Sequence, residues 1–156
     1  MTARYEVRLA GEEDAVAISD VILASLRQTD VKNYPPKVIR QIEQSFSPSA
    51  VQHLIAEKTV IVAFSGNHIY GTASLDGNRV RTVFVAPDIQ RKGVGRRLVE
   101  ELERTARGGN APMLEVASSV AAEPFFTELG FKPVRNSYYG KECTIIMERH
   151  LAPLRS

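Results

Sequence analysis

The run from Arg79 to Arg107 constrains the fold more than any other part of this 156-residue chain. Val80-Arg81-Thr82-Val83-Phe84-Val85 is rich in β-branched and aromatic residues and predicts a strand. Ala86-Pro87 stops it. A short basic loop with two glycines follows, and Val94, Leu98, Val99, Leu102 and Ala106 then recur at helical spacing. A strand that feeds a helix through a glycine loop points to a crossover, and so to a sheet with helices packed on it.

The loop chemistry suits an anion. Gly93 and Gly95 remove side chains, so backbone amides can approach a ligand closely. A helix starts there, and its first amides lack helical partners while its dipole favours negative charge. Four of the twenty basic residues (Arg91, Lys92, Arg96 and Arg97) lie in this short stretch with no acid among them. A pyrophosphate would fit. A P-loop is disfavoured because no Lys-Ser/Thr pair follows Gly95. The dinucleotide fingerprint is also poor, because Leu98 stands at its third glycine and the loop follows a late strand.

Taken in order, Tyr5 to Leu9 alternates as a first strand, and Gly11-Glu12-Glu13-Asp14 opens a helix running to about Arg27. Pro35-Pro36 can begin a second helix with Val38, Ile39, Ile42 and Phe46 on its apolar face. Ser47-Pro48 breaks it, and a short helix covers about Ser49 to Ile55. Thr59 to Phe64 and His68 to Leu75 read as strands joined at Ser65-Gly66-Asn67. Asp76-Gly77 marks the next hairpin. Gly108-Gly109 ends the long helix, Pro112 to Ser118 is a strand expected to pair in parallel with Val80 to Val85, and Ala121 to Leu129 is a helix capped by Gly130. Phe131 to Tyr139 and Glu142 to Glu148 form a last hairpin about Gly140. The expected class is α/β in the α+β sense, a mixed sheet with helices on both faces, in a single domain over residues 1–156.

Composition is that of a globular protein, with 44% apolar and 24% charged residues and a net charge of +2. That charge is too small to argue for nucleic acid. The lone Cys143 excludes an internal disulfide framework, no apolar run approaches the roughly 18 residues of a membrane span, and no export signal is read, so a cytoplasmic protein is expected. His53, His68 and His150 are isolated, with no second ligand at metal spacing, and no metal is expected. Cys143 alternates with Ile145 and Met147 and reads as a core position.

Val85-x-Pro87-x-x-Gln90-x-x-Gly93-x-Gly95, with its flanking strand and helix, resembles the acetyl-CoA-binding motif of the GNAT (GCN5-related) N-acetyltransferases. Arg8-x-Ala10 with Asp14 and Ile18, the Leu114-Glu115-Val116 strand, Phe125-Phe126-x-x-Leu129-Gly130-Phe131 and the terminal Met147-Glu148 match further landmarks in order. The resemblance spans nearly all of Arg4 to Leu151. It implies a GNAT-like fold with a mostly antiparallel central sheet, and acetyl transfer from acetyl-CoA to a primary amine by direct attack. It also implies that backbone groups of Val83, Phe84 and Val85 bind the pantetheine arm at a splay between parallel strands. Arg91, Lys92, Gly93, Val94, Gly95 and Arg96 would hold the pyrophosphate. Ser119 stands where the family often has a cofactor-contacting asparagine.

The same resemblance leaves the proton transfers unequally assigned. Many relatives protonate the thiolate with a tyrosine four residues before the glycine of the Gly-Phe pair. Here that residue is Phe126, which can pack on the cofactor but cannot donate. Tyr138 and Tyr139, on the last hairpin, are either substitutes or strand aromatics. Glu115 matches a position where some relatives place a general base, and otherwise it is one polar residue in an alternating strand. Tyr34 lies where the family lines its acceptor site, a small-molecule or peptide amine. Homodimers are common in the family. Two other functions compete: a CoA-binding regulatory module with little catalysis, and a nucleic-acid binder using Arg79, Arg81 and the loop cations. The second lacks aromatic platforms beside its charges.

Overall fold

Strand β2 (Thr59–Ser65) shows why the chain folds as layers. Val60, Ile61, Val62 and Ala63 are all buried, which requires cover on both faces of the strand. Val60 and Val62 join Ala15, Ile18 and Ile22 of helix α1 (Ala15–Thr29) and Val51 of helix α3 (Pro48–Glu57) in one apolar cluster. Each of these valine and isoleucine side chains contributes about 1.5–3 kcal/mol relative to exposure. Ile61 and Ala63 point the other way. The computed structural model describes residues 5–29, 35–89, 93–139 and 142–151. Tyr34, Gln90, Arg91, Lys92 and Gly140 therefore lie outside the described residues.

The other elements are β1 (Glu6–Leu9), α2 (Pro36–Ser45), β3 (His68–Asp76), β4 (Arg79–Val85), α4 (Val94–Gly108), β5 (Met113–Ser119), α5 (Glu123–Glu128), β6 (Lys132–Tyr139) and β7 (Glu142–His150). The sheet has seven strands in the order β1-β2-β3-β4-β5-β7-β6. β4 pairs with β5 in parallel, whereas β1 with β2, β5 with β7 and β6 with β7 are antiparallel. This is the expected mixed sheet. The chain forms two compact units, Met1–Ser74 with Thr82–Val99, and Leu75–Arg81 with Glu100–Ser156. Among the described residues no helix is long and apolar enough to cross a membrane.

In the first unit Arg8 anchors β1 to the start of α1. Its guanidinium donates to Asp14 Oδ2 at 2.7 Å and Oδ1 at 3.0 Å, and Asp14 also accepts the Gly11 N–H at 2.8 Å. The Arg8 head lies 4.9 Å from the Phe64 ring centroid. Pro48 does not merely break α2. Ser47 caps α3 by accepting the Ala50 N–H at 3.2 Å, and Pro48 follows at the first helical position, where its missing N–H costs nothing.

The hairpin after β3 turns at Gly77-Asn78, one residue later than Asp76-Gly77, because Gly77 supplies the left-handed φ of +63° at the first turn position. In the second unit α4 does not end on a left-handed glycine. Gly108 is still helical and Asn110, with φ of 62°, takes that role. The Asn110 N–H donates to the Arg107 carbonyl at 2.9 Å and the Ala111 N–H to Ala106 at 3.0 Å, a Schellman closure. Glu103, buried on α4, accepts from Arg107 and from Arg149 of β7, each at 2.8 Å. Phe131 is fully buried, with the Phe126 ring edge-on at 5.5 Å.

Candidate functional site

The end of β4 and the start of α4 lie in the first unit. Val83, Phe84 and Val85 are half-buried, with the Phe84 ring edge-on to Phe46 at 5.7 Å. The Ala86 N–H donates to the Tyr70 carbonyl at 2.8 Å, which fixes the strand end beside β3. A single turn, Pro87–Ile89, then buries Ile89 and ends the descent toward α4. Gly93 has a φ of +84°, a conformation L side chains rarely adopt. Among the described residues, its chain neighbours aside, nothing lies within 4 Å of the position a Cβ would take there. Its carbonyl accepts the Arg97 N–H at 3.1 Å, so it immediately precedes the first turn of α4.

The amides of Val94, Gly95 and Arg96 consequently have no acceptor within the helix. Val94 is buried and anchors the turn, Gly95 is half-buried, and the Arg96 and Arg97 side chains are exposed. The 15 residues of α4 give its amino end a full helix dipole. These features fit a pyrophosphate: amides without helical acceptors, open space at Gly93 and exposed guanidinium charge.

One residue essential to this geometry has no place among the motif positions. A Cβ on Gly71, in β3, would meet Leu98 Cδ1 and Val94 Cγ1 at 3.0 Å and the Phe84 carbonyl oxygen at 3.3 Å. Gly71 lets the first turns of α4 sit directly on the strand. A glycine inside an otherwise regular strand pattern is the signal of such an approach.

Glu115, Ser119, Phe126, Tyr138 and Cys143 lie in the second unit. Glu115, on β5, pairs with Arg79 through Oε2 at 3.3 Å, and its backbone N–H donates to the Asn78 carbonyl. β4 and β5 are in register at Arg79↔Glu115 and Val80↔Val116. Ser119 is exposed, and its hydroxyl oxygen accepts the Ala122 N–H at 3.1 Å, shaping the turn before α5. Phe126 is buried, edge-on to both Phe125 and Phe131. Tyr138 is exposed, 3.4 Å from the Asn136 amide nitrogen. Cys143 is a free thiol, half-buried while Ile145 and Met147 are buried, so it sits at the margin of the core and not within it. His53, His68 and His150 are exposed. Tyr34, Arg91 and Lys92 are outside the described residues.

A strand at the middle of a mixed sheet leads to the amino end of a long helix, an arrangement of the α/β class whose chemistry suits an anionic ligand. The family described as "Acetyltransferase (GNAT) domain" matches residues 28–149, and the chain belongs to it. The ribosomal protein bS18-alanine N-acetyltransferase of Escherichia coli K12 is 42% identical over 82 residues, covering 47% of this chain and 55% of that protein. The chain thus spans about half the length of the curated relatives it matches. Among solved structures, a GCN5-related N-acetyltransferase from Rhodopseudomonas palustris superposes with a TM-score of 0.84 at 22% identity, over 97% of this chain and 99% of that one. The PaiA N-acetyltransferase of Thermoplasma acidophilum, solved with coenzyme A, gives 0.81 at 18% identity, over 95% and 99%. These likenesses establish the GNAT fold.

Proposed function

We propose that the chain transfers the acetyl group of acetyl-CoA to a primary amine, and that residues 1–156 form one catalytic domain. The observation that carries this is the amino end of α4, where Gly93 at φ +84° opens a cradle beside the amides of Val94, Gly95 and Arg96. Those groups would hold the pyrophosphate, with Arg91 and Lys92 adding charge. Backbone groups of Val83, Phe84 and Val85 would hold the pantetheine arm, with Ser119 and Phe126 as further cofactor contacts and Tyr34 lining the acceptor site. The relative that acetylates a ribosomal protein's alanine and the neighbour that carries coenzyme A support the same reading.

Acetyl-CoA supplies an activated acyl group, so the protein's tasks are to position the amine and to move protons. Glu115 is the proposed base. Its carboxylate is held by Arg79 yet retains some exposure, so it can accept the ammonium proton directly or through water. Phe126 has no proton to donate. That residue favours the second reading, a CoA-binding module with little turnover.

Acetyl-CoA-dependent thiol release over a panel of amines and amino-terminal peptides distinguishes the two. Turnover of any acceptor, reduced about 100-fold or more by Glu115→Gln, is the expected result. CoA binding without release across the panel supports the binding module, and failure to bind CoA removes both.

A further inference from the structure

We infer that the open face of the second unit carries a cleft that recognises an anionic group, carboxylate or phosphoryl, on the acceptor. This deepens the acetyltransferase reading and rests on it for the word acceptor. A cavity of about 140 Å³ is bordered by Arg79, Arg81, Glu115, Ala117, Arg135 and Ile146, all of one unit. Ordinary small-molecule pockets run to about 300–1,000 Å³, so this one admits a single group of side-chain size.

The register explains how the arginines meet. Extending Arg79↔Glu115 and Val80↔Val116 by one residue sets Arg81 beside Ala117. Ala117 faces Ile146 on β7, and Ile146 faces Arg135 on β6. One row across four strands therefore runs Arg81, Ala117, Ile146, Arg135, with a cationic residue at each end and a short apolar floor. The row exists because β6 is irregular between Pro133 and Arg135. Val134 is the extra residue of that bulge. Without it Val134 would stand opposite Ile146, and Arg135 would turn to the other face.

Charge decides what fits. Three arginines against one glutamate leave the cleft positive. Arg79 is engaged by Glu115 at 3.3 Å, whereas among the described residues Arg81 and Arg135 have no carboxylate in ion-pair reach. Guanidinium is weakly hydrated, and its fork matches carboxylate and phosphoryl oxygens. A lysine or arginine side chain entering here would meet like charge. Because the proposed base Glu115 borders the same cavity, the anionic group belongs close to the reacting amine, on the same or the adjacent residue of a peptide.

The test is calorimetric titration of the full chain, with and without saturating CoA, using four dipeptides: Ala-Glu, Ala-phosphoserine, Ala-Gln and Ala-Lys. Ala-Glu or Ala-phosphoserine should bind at least about tenfold tighter than Ala-Gln, with Ala-Lys weakest, and the tighter of the two names the group. The Arg81→Gln/Arg135→Gln double variant, whose thermal midpoint verifies folding, should reduce the preference to about threefold or less. Equal binding of Ala-Gln, no binding of any dipeptide, or a preference that survives both substitutions overturns the inference. Absence of CoA binding in the same experiment would sink the acetyltransferase reading, while the CoA-free titrations would still judge the cleft.

Discussion

Asp14 concentrates three hydrogen bonds on one buried carboxylate, from the two terminal Arg8 nitrogens and the Gly11 amide. The Arg8 hydrogen bond is the main reason its carboxyl is held below its ordinary value of 3.8, with the Gly11 bond assisting and burial opposing. The unfolded chain therefore binds more protons than the folded one in the window below 3.8, and stability rises with pH across it. Asp14 contributes fully above its unfolded value, and the contribution is lost as pH falls through the lower folded value. Asp14→Ala should cost about 1–2 kcal/mol at pH 7, or about 2–8 °C in midpoint. The gap between variant and parent should shrink steadily in melts run from pH 5 to pH 2. A gap that is the same at both ends would show that the loss came from packing alone.

At the scale of elements, Gly71 governs how β3 receives α4. A valine there would press two methyl groups toward Leu98, Val94 and the Phe84 carbonyl, where a Cβ alone already lies at 3.0 to 3.3 Å. Overpacking of this kind costs about 1–3 kcal/mol, so denaturant unfolding of Gly71→Val should show a lower midpoint with an unchanged slope. An unchanged midpoint would mean that α4 does not depend on this close approach.

Most elements were legible because their apolar spacing is unambiguous, as with Leu98, Val99 and Leu102 on α4 or Val60 to Ala63 on β2. What could not be read is whatever depends on partners distant in the chain or on one backbone torsion. Pro48 starts a helix because Ser47 caps it. Asn110 takes the left-handed position although two glycines precede it. The bulge at Val134 decides which face Arg135 joins, and no local pattern announces it. The glycines at 93 and 95 announce a turn into a helix, and the positive φ at Gly93 agrees with that, whereas the arginine row emerges only when four strands are placed side by side.

For the whole molecule, the proposed cradle at α4 would turn cofactor binding into a measurable stability. A ligand that binds only the folded chain adds about 2.7 kcal/mol when present at a hundred times its dissociation constant. For a chain of this length that is a rise of roughly 5–10 °C in the midpoint of the transition that carries the site. Gly93→Asp separates binding from folding. Aspartate tolerates positive φ better than most residues and places favourable negative charge at the amino end of α4, so the helix should form. The same carboxylate stands where the phosphates would lie and repels them. Thermal melts of the variant should therefore begin within about 3 °C of the parent without ligand and show no rise with CoA. A variant that still gained the full shift would place the phosphates elsewhere, and Gly93 would then be only a turn residue.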